Sequence, residues 1–103
     1  MNAELKKKWL EALRSGKYRQ GKHKLRNHNN EFCCLGVLCD VADNTKWREG
    51  FGCYFYESST NISPEYLLNN NYIAFLWPMN DLYGQSFLEI ADYIEQNIPD
   101  NEG

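Results

Sequence analysis

The sequence predicts an α+β domain in which an N-terminal and a C-terminal helix pack on a small, mostly antiparallel sheet. Both ends of the chain carry apolar residues at helical spacing, and residues 32–42 (FCCLGVLCDVA) form the longest apolar run. Residues 51–57 (FGCYFYE) are rich in the aromatic side chains that are typical of strands. A chain of 103 residues can bury about two-thirds of its unfolded surface. We therefore expect a single domain over residues 1–103.

The first helix is predicted over residues 3–14. Asn2 is suited to the N-cap position, and Gly16 supplies the left-handed conformation that commonly ends a helix. The apolar positions follow the i, i+4, i+7, i+8 pattern of one helix face: Leu5, Trp9, Ala12 and Leu13.

The apolar run at residues 32–42 is predicted to be buried chain that begins extended and turns into a short helix. Leu35, Leu38 and Cys39 fall at helical spacing within it. The other elements should pack around this run. We expect one core that contains Trp9, Leu13, Leu35, Val37, Leu38, Phe87, Ile90 and Ile94.

Strands are predicted on both sides of this run. Residues 18–26 and 31–34 should form an antiparallel hairpin across the Asn-rich turn at residues 27–30. Trp47 and residues 51–57 should supply a second strand pair.

The region between the strands and the last helix is less regular. A short helix is predicted to start at Ser63, because Pro64 then occupies the first helical position. We interpret residues 72–77 as a buried strand or apolar loop that ends at Pro78, and residues 79–85 as a turn-rich connector.

The last helix has the strongest pattern in the chain. Ser86 as N-cap and Glu89 three residues later make a capping box. One apolar stripe follows, made of Phe87, Ile90, Ala91, Ile94 and Ile98.

The four cysteines are expected to be reduced, structural thiols. Cys33, Cys34 and Cys39 lie in the apolar run, where thiols behave as small hydrophobic groups. The chain has no CxxC pair, and its spacing places neither His23 nor His28 beside a thiol. We therefore expect no metal site, no cofactor and no enzymatic activity.

The charge of the chain is divided between its two parts. Residues 1–27 carry nine basic and two acidic side chains, a balance of +7, whereas residues 28–103 have a balance of −10. Two interpretations are open. The basic part either forms an anion-binding surface or docks on the acidic C-terminal helix of the same molecule.

Several of the motifs resemble those of a family of small proteins encoded by bacteriophages and prophages. The resemblance is carried by Trp9 with Leu13, by residues 15–18 (SGKY) with Gln20, by the strings FCCLGVLCD and SFLEIADYIE, and by Asn80-Asp81 with Gly84. It spans nearly the whole chain. It implies a phage or prophage source and helices on a small sheet, but no activity.

The candidate ligand-binding set combines the basic segment with these motifs. Residues 17–26 offer guanidinium, ammonium, phenol and amide groups next to a helix end, which suits a phosphate-bearing planar ligand. The segment is not a P-loop, because Gly16 and Gly21 do not fit the GxxxxGK[ST] pattern. Trp47 or Tyr54 offers a stacking surface. The set is Tyr18, Arg19, Gln20, Lys22, Trp47, Asn80 and Asp81.

Three functional hypotheses follow. The first is a non-enzymatic protein that counters host defence by binding and sequestering a small anionic, nucleotide-like signal. The second is a protein–protein inhibitor of a bacterial defence complex, in which the acidic C-terminal half mimics nucleic acid or fills a basic groove. The third is a small Cys/His enzyme or zinc module. A homo-oligomer is compatible with each.

The expected location is the cytoplasm, which is that of the host cell if the protein is phage-encoded. No window approaches the ~18 apolar residues of a membrane span. Residues 1–6 lack the apolar core of a signal peptide. We expect no membrane partner.

Overall fold

A computed structural model describes residues 1–50, 52–56 and 67–100, and it confirms the predicted α+β class. Four helices and a five-stranded sheet lie in this part of the chain. The helices are α1 (Ala3–Arg14), α2 (Cys34–Ala42), α3 (Asn70–Asp81) and α4 (Phe87–Asn97). The strands are β1 (Arg19–Gln20), β2 (Arg26–Asn27), β3 (Glu31–Phe32), β4 (Trp47–Gly50) and β5 (Cys53–Tyr56).

The sheet is mixed, with the strand order β1-β3-β2-β5-β4. Three of its four pairings are antiparallel, and β1 pairs with β3 in parallel. The predicted hairpin is therefore confirmed only for β2 and β3, where Arg26 lies opposite Phe32. The segment that carries β1 does not join this hairpin, because β3 lies between β1 and β2.

The apolar run changes from strand to helix as predicted. Phe32 ends β3, and Cys33 caps α2 through its Sγ, which accepts a hydrogen bond from the Gly36 amide. Gly36 allows a close backbone approach, because a Cβ at this position would lie 1.8 Å from the Leu25 carbonyl oxygen. The first turn of α2 is thus pressed against the chain that leads into β2.

One hydrophobic core contains all eight residues predicted for it. The helix α1 spans residues 3–14 as predicted, and its Trp9 donates an indole hydrogen bond of 2.9 Å to the Cys34 carbonyl oxygen. The helix α4 begins with the predicted capping box of Ser86 and Glu89. Its apolar stripe is buried, which closes the core from the C-terminal side.

Residues 72–77 and 79–81 are helical, so the prediction of a strand or loop followed by a connector was wrong. They form α3 with Asn69 as N-cap, and Pro78 lies within the helix. A short apolar run does not distinguish a strand from a buried helix, and Pro78 suggested an end that the helix does not have. The predicted helix start at Ser63 lies outside the described residues, as do both ends of the predicted strand at residues 51–57.

In the described ranges, no helix has the length and apolar character that spanning a membrane requires.

Candidate functional site

The seven residues of the candidate set do not form one site: five of them fall into two groups, and Arg19 and Lys22 lie apart from both. Gln20, Asn80 and Asp81 form one hydrogen-bonded network. Tyr18 and Trp47 meet at Asp40, and Arg19 pairs with Glu31. Lys22 lies in the turn that follows Gln20. Successive side chains of an extended chain point to opposite faces, so Tyr18 and Gln20 make contacts that differ from those of Arg19.

Asn80 is the centre of the first group. Its side chain is fully buried, and its Oδ1 accepts hydrogen bonds from Gln20 Nε2 at 2.8 Å and from the Cys34 amide at 3.3 Å. Its Nδ2 donates to the Gly21 carbonyl oxygen at 2.8 Å and to Asp81 Oδ1 at 2.7 Å. All four hydrogen-bonding positions of the amide are therefore used.

This network fixes the start of the turn at residues 21–25, which we call the basic turn. Gly21 is buried, and a Cβ there would lie 2.8 Å from the Cβ of Glu31. Lys22, His23 and Lys24 follow and are exposed. His23 has a φ of 71°, and its Nδ1 lies 3.9 Å from Asp81 Oδ2. The turn is held at its base by α3, and its cationic side chains point outward.

The ion pairs explain why the turn stays cationic. In the described part of the chain, Lys22 and Lys24 form no ion pair, whereas Arg19 binds Glu31 at 3.3 Å. Two cations of α1 are engaged by the acidic C-terminal region: Lys6 pairs with Asp100, and Arg14 pairs with Asp92 and Glu95. The docking interpretation of the charge pattern therefore holds for Lys6 and Arg14, whereas the anion-binding interpretation stays a prediction for the rest of the basic segment.

The second group is a polar contact at the edge of the aromatic cluster. Asp40 accepts hydrogen bonds from the Tyr18 hydroxyl and, at 2.9 Å, from the Trp47 indole. Burial and the hydrogen bond to Asp40 raise the pKa of the Tyr18 phenol. Trp47 also packs edge-on against Phe32 and Tyr56. Neither Tyr18 nor Trp47 faces the basic turn through any of these contacts.

The candidate set of seven residues left out Arg26, the last residue of the basic segment, whose guanidinium lies among three aromatic rings. Its Cζ is 3.9 Å from the ring centroid of Tyr54, 5.4 Å from that of Phe32 and 5.5 Å from that of Trp47. These distances are within the range of cation–π interaction. The arrangement results from the strand register, which pairs Arg26 with Phe32 on one side and with Tyr54 on the other. No local sequence signal encodes that register.

The thiols are buried as predicted. Burial raises the pKa of Cys33 to about 11 and raises that of Cys34 and Cys39 as well. Thiols of this kind are poor nucleophiles at neutral pH. A search of the described residues finds no group of three His, Cys, Asp or Glu side chains that could hold a metal ion.

The model of one protein family, a domain of unknown function (DUF8296), matches residues 1–73. This match spans more than half of the chain. The chain belongs to the DUF8296 family. No curated protein and no solved structure matches it.

The DUF8296 match includes the basic turn, the sheet and α2, and it ends within α3. Asn80 and Asp81, which hold the turn from outside, lie C-terminal to the matched residues. A second feature of this DUF8296 protein is a groove of about 1030 Å³ along α1, lined among others by Lys6, Arg14 and Glu95. Two ion pairs lie in this groove, Lys6 with Asp100 and Arg14 with Glu95, and none of the seven candidate residues lines it.

Proposed function

We propose that this DUF8296 protein is a non-enzymatic binding protein that captures a small phosphate-bearing, nucleotide-like ligand at the basic turn. The observation that carries the proposal is the contrast between the fixed base of the turn and its unpaired cations. Asn80 holds the Gly21 carbonyl, while Lys22 and Lys24 form no ion pair in the described part of the chain. Lysine ammonium groups are point charges that bind phosphate oxygens without a fixed geometry.

The groove along α1 is a weaker candidate for an anion. Its Lys6 donates to the Ile98 carbonyl at 2.6 Å and to Asp100 at 2.8 Å, and its Arg14 holds two carboxylates. An anion in this groove would have to compete with these carboxylates. Near the basic turn, Asp81 Oδ2 lies 3.9 Å from the imidazole Nδ1 of His23, and Asp81 Oδ1 already accepts a hydrogen bond from Asn80 Nδ2.

Sequestration without turnover fits the chemistry of the described side chains. The pKa of Cys33 is raised to about 11, so a thiolate is scarce at neutral pH. The inhibitor hypothesis takes second place, because Arg14 pairs with both Asp92 and Glu95 of α4 and offsets part of the negative charge that this helix would offer to a basic groove. The biological setting that we propose, a phage or prophage protein acting against a bacterial nucleotide signal in the cytoplasm, comes from the sequence motifs.

Thermal melts against mono-, di- and cyclic nucleotides and nucleotide-sugar signals test the proposal. A ligand at one hundred times its dissociation constant adds about 2.7 kcal/mol to the free energy of unfolding, which is a visible shift. We expect the shift to fall with added salt, because contacts between exposed lysines and phosphate are screened over ~8 Å at physiological ionic strength.

A pair of double variants with equal charge locates the site. Lys22→Ala/Lys24→Ala should retain its fold and lose the shift. Lys7→Ala/Lys8→Ala, which removes the same charge from α1, should keep it. Equal losses in both variants would indicate general attraction of anions without a site. If no nucleotide moves the melt and a bacterial protein co-purifies from lysate, the inhibitor hypothesis replaces this one.

A further inference from the structure

Trp77 of α3 is an aromatic side chain that the protein leaves largely uncovered. Its exposed fraction is 43%, and it is not among the residues that pack against the core. The indoles of Trp9 and Trp47 each donate a hydrogen bond within the protein. In the described part of the chain, the indole N–H of Trp77 has no such acceptor. A large aromatic surface with a free donor is typical of binding sites.

The helical position of Trp77 places it beside the basic turn. Asn80 and Asp81 of α3 contact this turn at the Gly21 carbonyl and at His23. With 3.6 residues per turn, Trp77 lies between them around the helix axis, about 60° from Asn80 and about 40° from Asp81. It is one turn, about 5.4 Å, nearer the start of the helix, and the side chain of Asp81 leans in that direction. Trp77 is therefore on the face of α3 that holds the basic turn.

The stacking surfaces expected from the sequence are engaged within the protein. Trp47 donates to Asp40, and one ring face of Tyr54 is covered by the guanidinium of Arg26 at 3.9 Å. A ligand at the basic turn therefore needs another aromatic surface if its base is to stack. Trp77 offers one on the face of α3 that contacts the turn.

The charges near Trp77 distinguish the two ends of such a ligand. Lys22 and Lys24 are exposed and form no ion pair in the described ranges, so they attract phosphate. Asp81 lies between the turn and Trp77, with its Oδ2 3.9 Å from His23 Nδ1. Its negative charge disfavours a phosphate beside the indole. The uncharged end of the ligand is therefore directed to Trp77.

We propose that Trp77 is the stacking platform of this site, so that a nucleotide places its base on the indole and its phosphates at Lys22 and Lys24. This inference rests on the proposed function. It narrows the ligand from nucleotide-like phosphates to nucleotides that are held through the base as well as the phosphate. Stacking on an aromatic side chain tolerates every base, because each base has a π-face.

Calorimetric titration of the full chain with ATP and with inorganic triphosphate, which has the phosphate chain but no base, tests the inference. The wild-type protein should bind ATP more tightly. Trp77→Ala should raise the dissociation constant for ATP roughly 5- to 150-fold, the effect of losing one stacked base, and leave that for inorganic triphosphate unchanged. Trp77→Tyr keeps a stacking ring and should retain most of the affinity for ATP.

Phe75→Ala is the matched control. Phe75 is an exposed aromatic residue of the same helix, but it lies about 160° around the axis from Trp77. This variant should bind both compounds as the wild type does. If Trp77→Ala fails to fold by circular dichroism, acrylamide quenching of the wild-type tryptophan emission replaces it. ATP should protect the emission from acrylamide, and inorganic triphosphate should not.

The outcomes separate this inference from the proposed function. Inorganic triphosphate that binds as tightly as ATP, or a Trp77→Ala variant that weakens both compounds equally, would overturn the stacking role and leave the basic turn as a phosphate site. A loss of ATP affinity in Phe75→Ala equal to that in Trp77→Ala would also overturn it. If neither compound binds the wild-type protein, the inference falls together with the proposed function.

Discussion

Replacing Asn80 by Ala should be among the most damaging single polar substitutions in this protein. The variant removes four hydrogen bonds, of 2.7, 2.8, 2.8 and 3.3 Å, from a side chain with no exposure. It leaves the Cys34 amide and the Gly21 carbonyl without their side-chain partner in a buried setting. Each unsatisfied buried group costs about 1–3 kcal/mol, so we expect a loss of roughly 2–5 kcal/mol.

Urea and thermal unfolding measure this loss. For a domain of this size 1 kcal/mol corresponds to a shift of about 4–8 °C in Tm, so Asn80→Ala should lower the Tm by roughly 8–40 °C. Asn71→Ala is the control, since Asn71 lies on the same helix and is exposed. It should change stability by less than ~0.5 kcal/mol. A loss below ~0.5 kcal/mol for Asn80→Ala would show that the hydrogen bonds of Asn80 do not stabilise the fold.

Three further substitution and reactivity predictions concern the core. Leu38→Ala should cost roughly 2–5 kcal/mol in urea unfolding because Leu38 is fully buried, while Leu88→Ala, the same change at an exposed site, should cost less than ~0.5. Gly36→Ala should destabilise the fold by about 1–3 kcal/mol or more in the same assay, because the added Cβ would overlap the Leu25 carbonyl oxygen. In an open helix the same substitution would instead stabilise by ~1 kcal/mol. A more stable Gly36→Ala variant would contradict the close approach. The four thiols should react slowly with a disulfide reagent at pH 8 in the native state and fast in denaturant, because all four are buried. Folding also raises the pKa of Cys33 from 9.0 to about 11. The free energy of unfolding that depends on its neutral form should therefore be constant below pH 9 and fall as the pH rises towards 11. Fast native labelling would show that the thiols are accessible.

The local signals in the sequence were sufficient for the terminal helices and the central run. Asn2, Gly16 and the Ser86–Glu89 capping box each act within one turn of the helix that they delimit, so the ends of α1 and the start of α4 could be predicted. The middle of the chain offered no such boundary. Residues 72–77 fit a strand or a helix equally well, and the cap that decides, Asn69, stands in a run of three asparagines.

The candidate site was harder to predict because its geometry depends on distant pairs. Gln20 and Asn80 are sixty positions apart and meet only because α3 packs against the base of the basic turn. The aromatic setting of Arg26 depends on a strand order in which β2 lies between β3 and β5. Composition identified the basic segment, but it could not separate the cations that pair within the molecule from those that form no ion pair in the described part of the chain.

The C-terminal region determines which cations of the basic segment are paired, because it packs against α1. The family match ends at residue 73, yet Lys6 of α1 is buried beneath the Ile98 carbonyl, and the Met1 amino group donates to the Pro99 carbonyl at 3.0 Å. Ile90 and Ile94 of α4 belong to the same core as α1 and α2. The acidic C-terminal region therefore neutralises cations of α1 because packing places it there. In the described part of the chain, Lys22 and Lys24 of the basic turn form no ion pair with these carboxylates, so the proposed anion would not have to displace one of them.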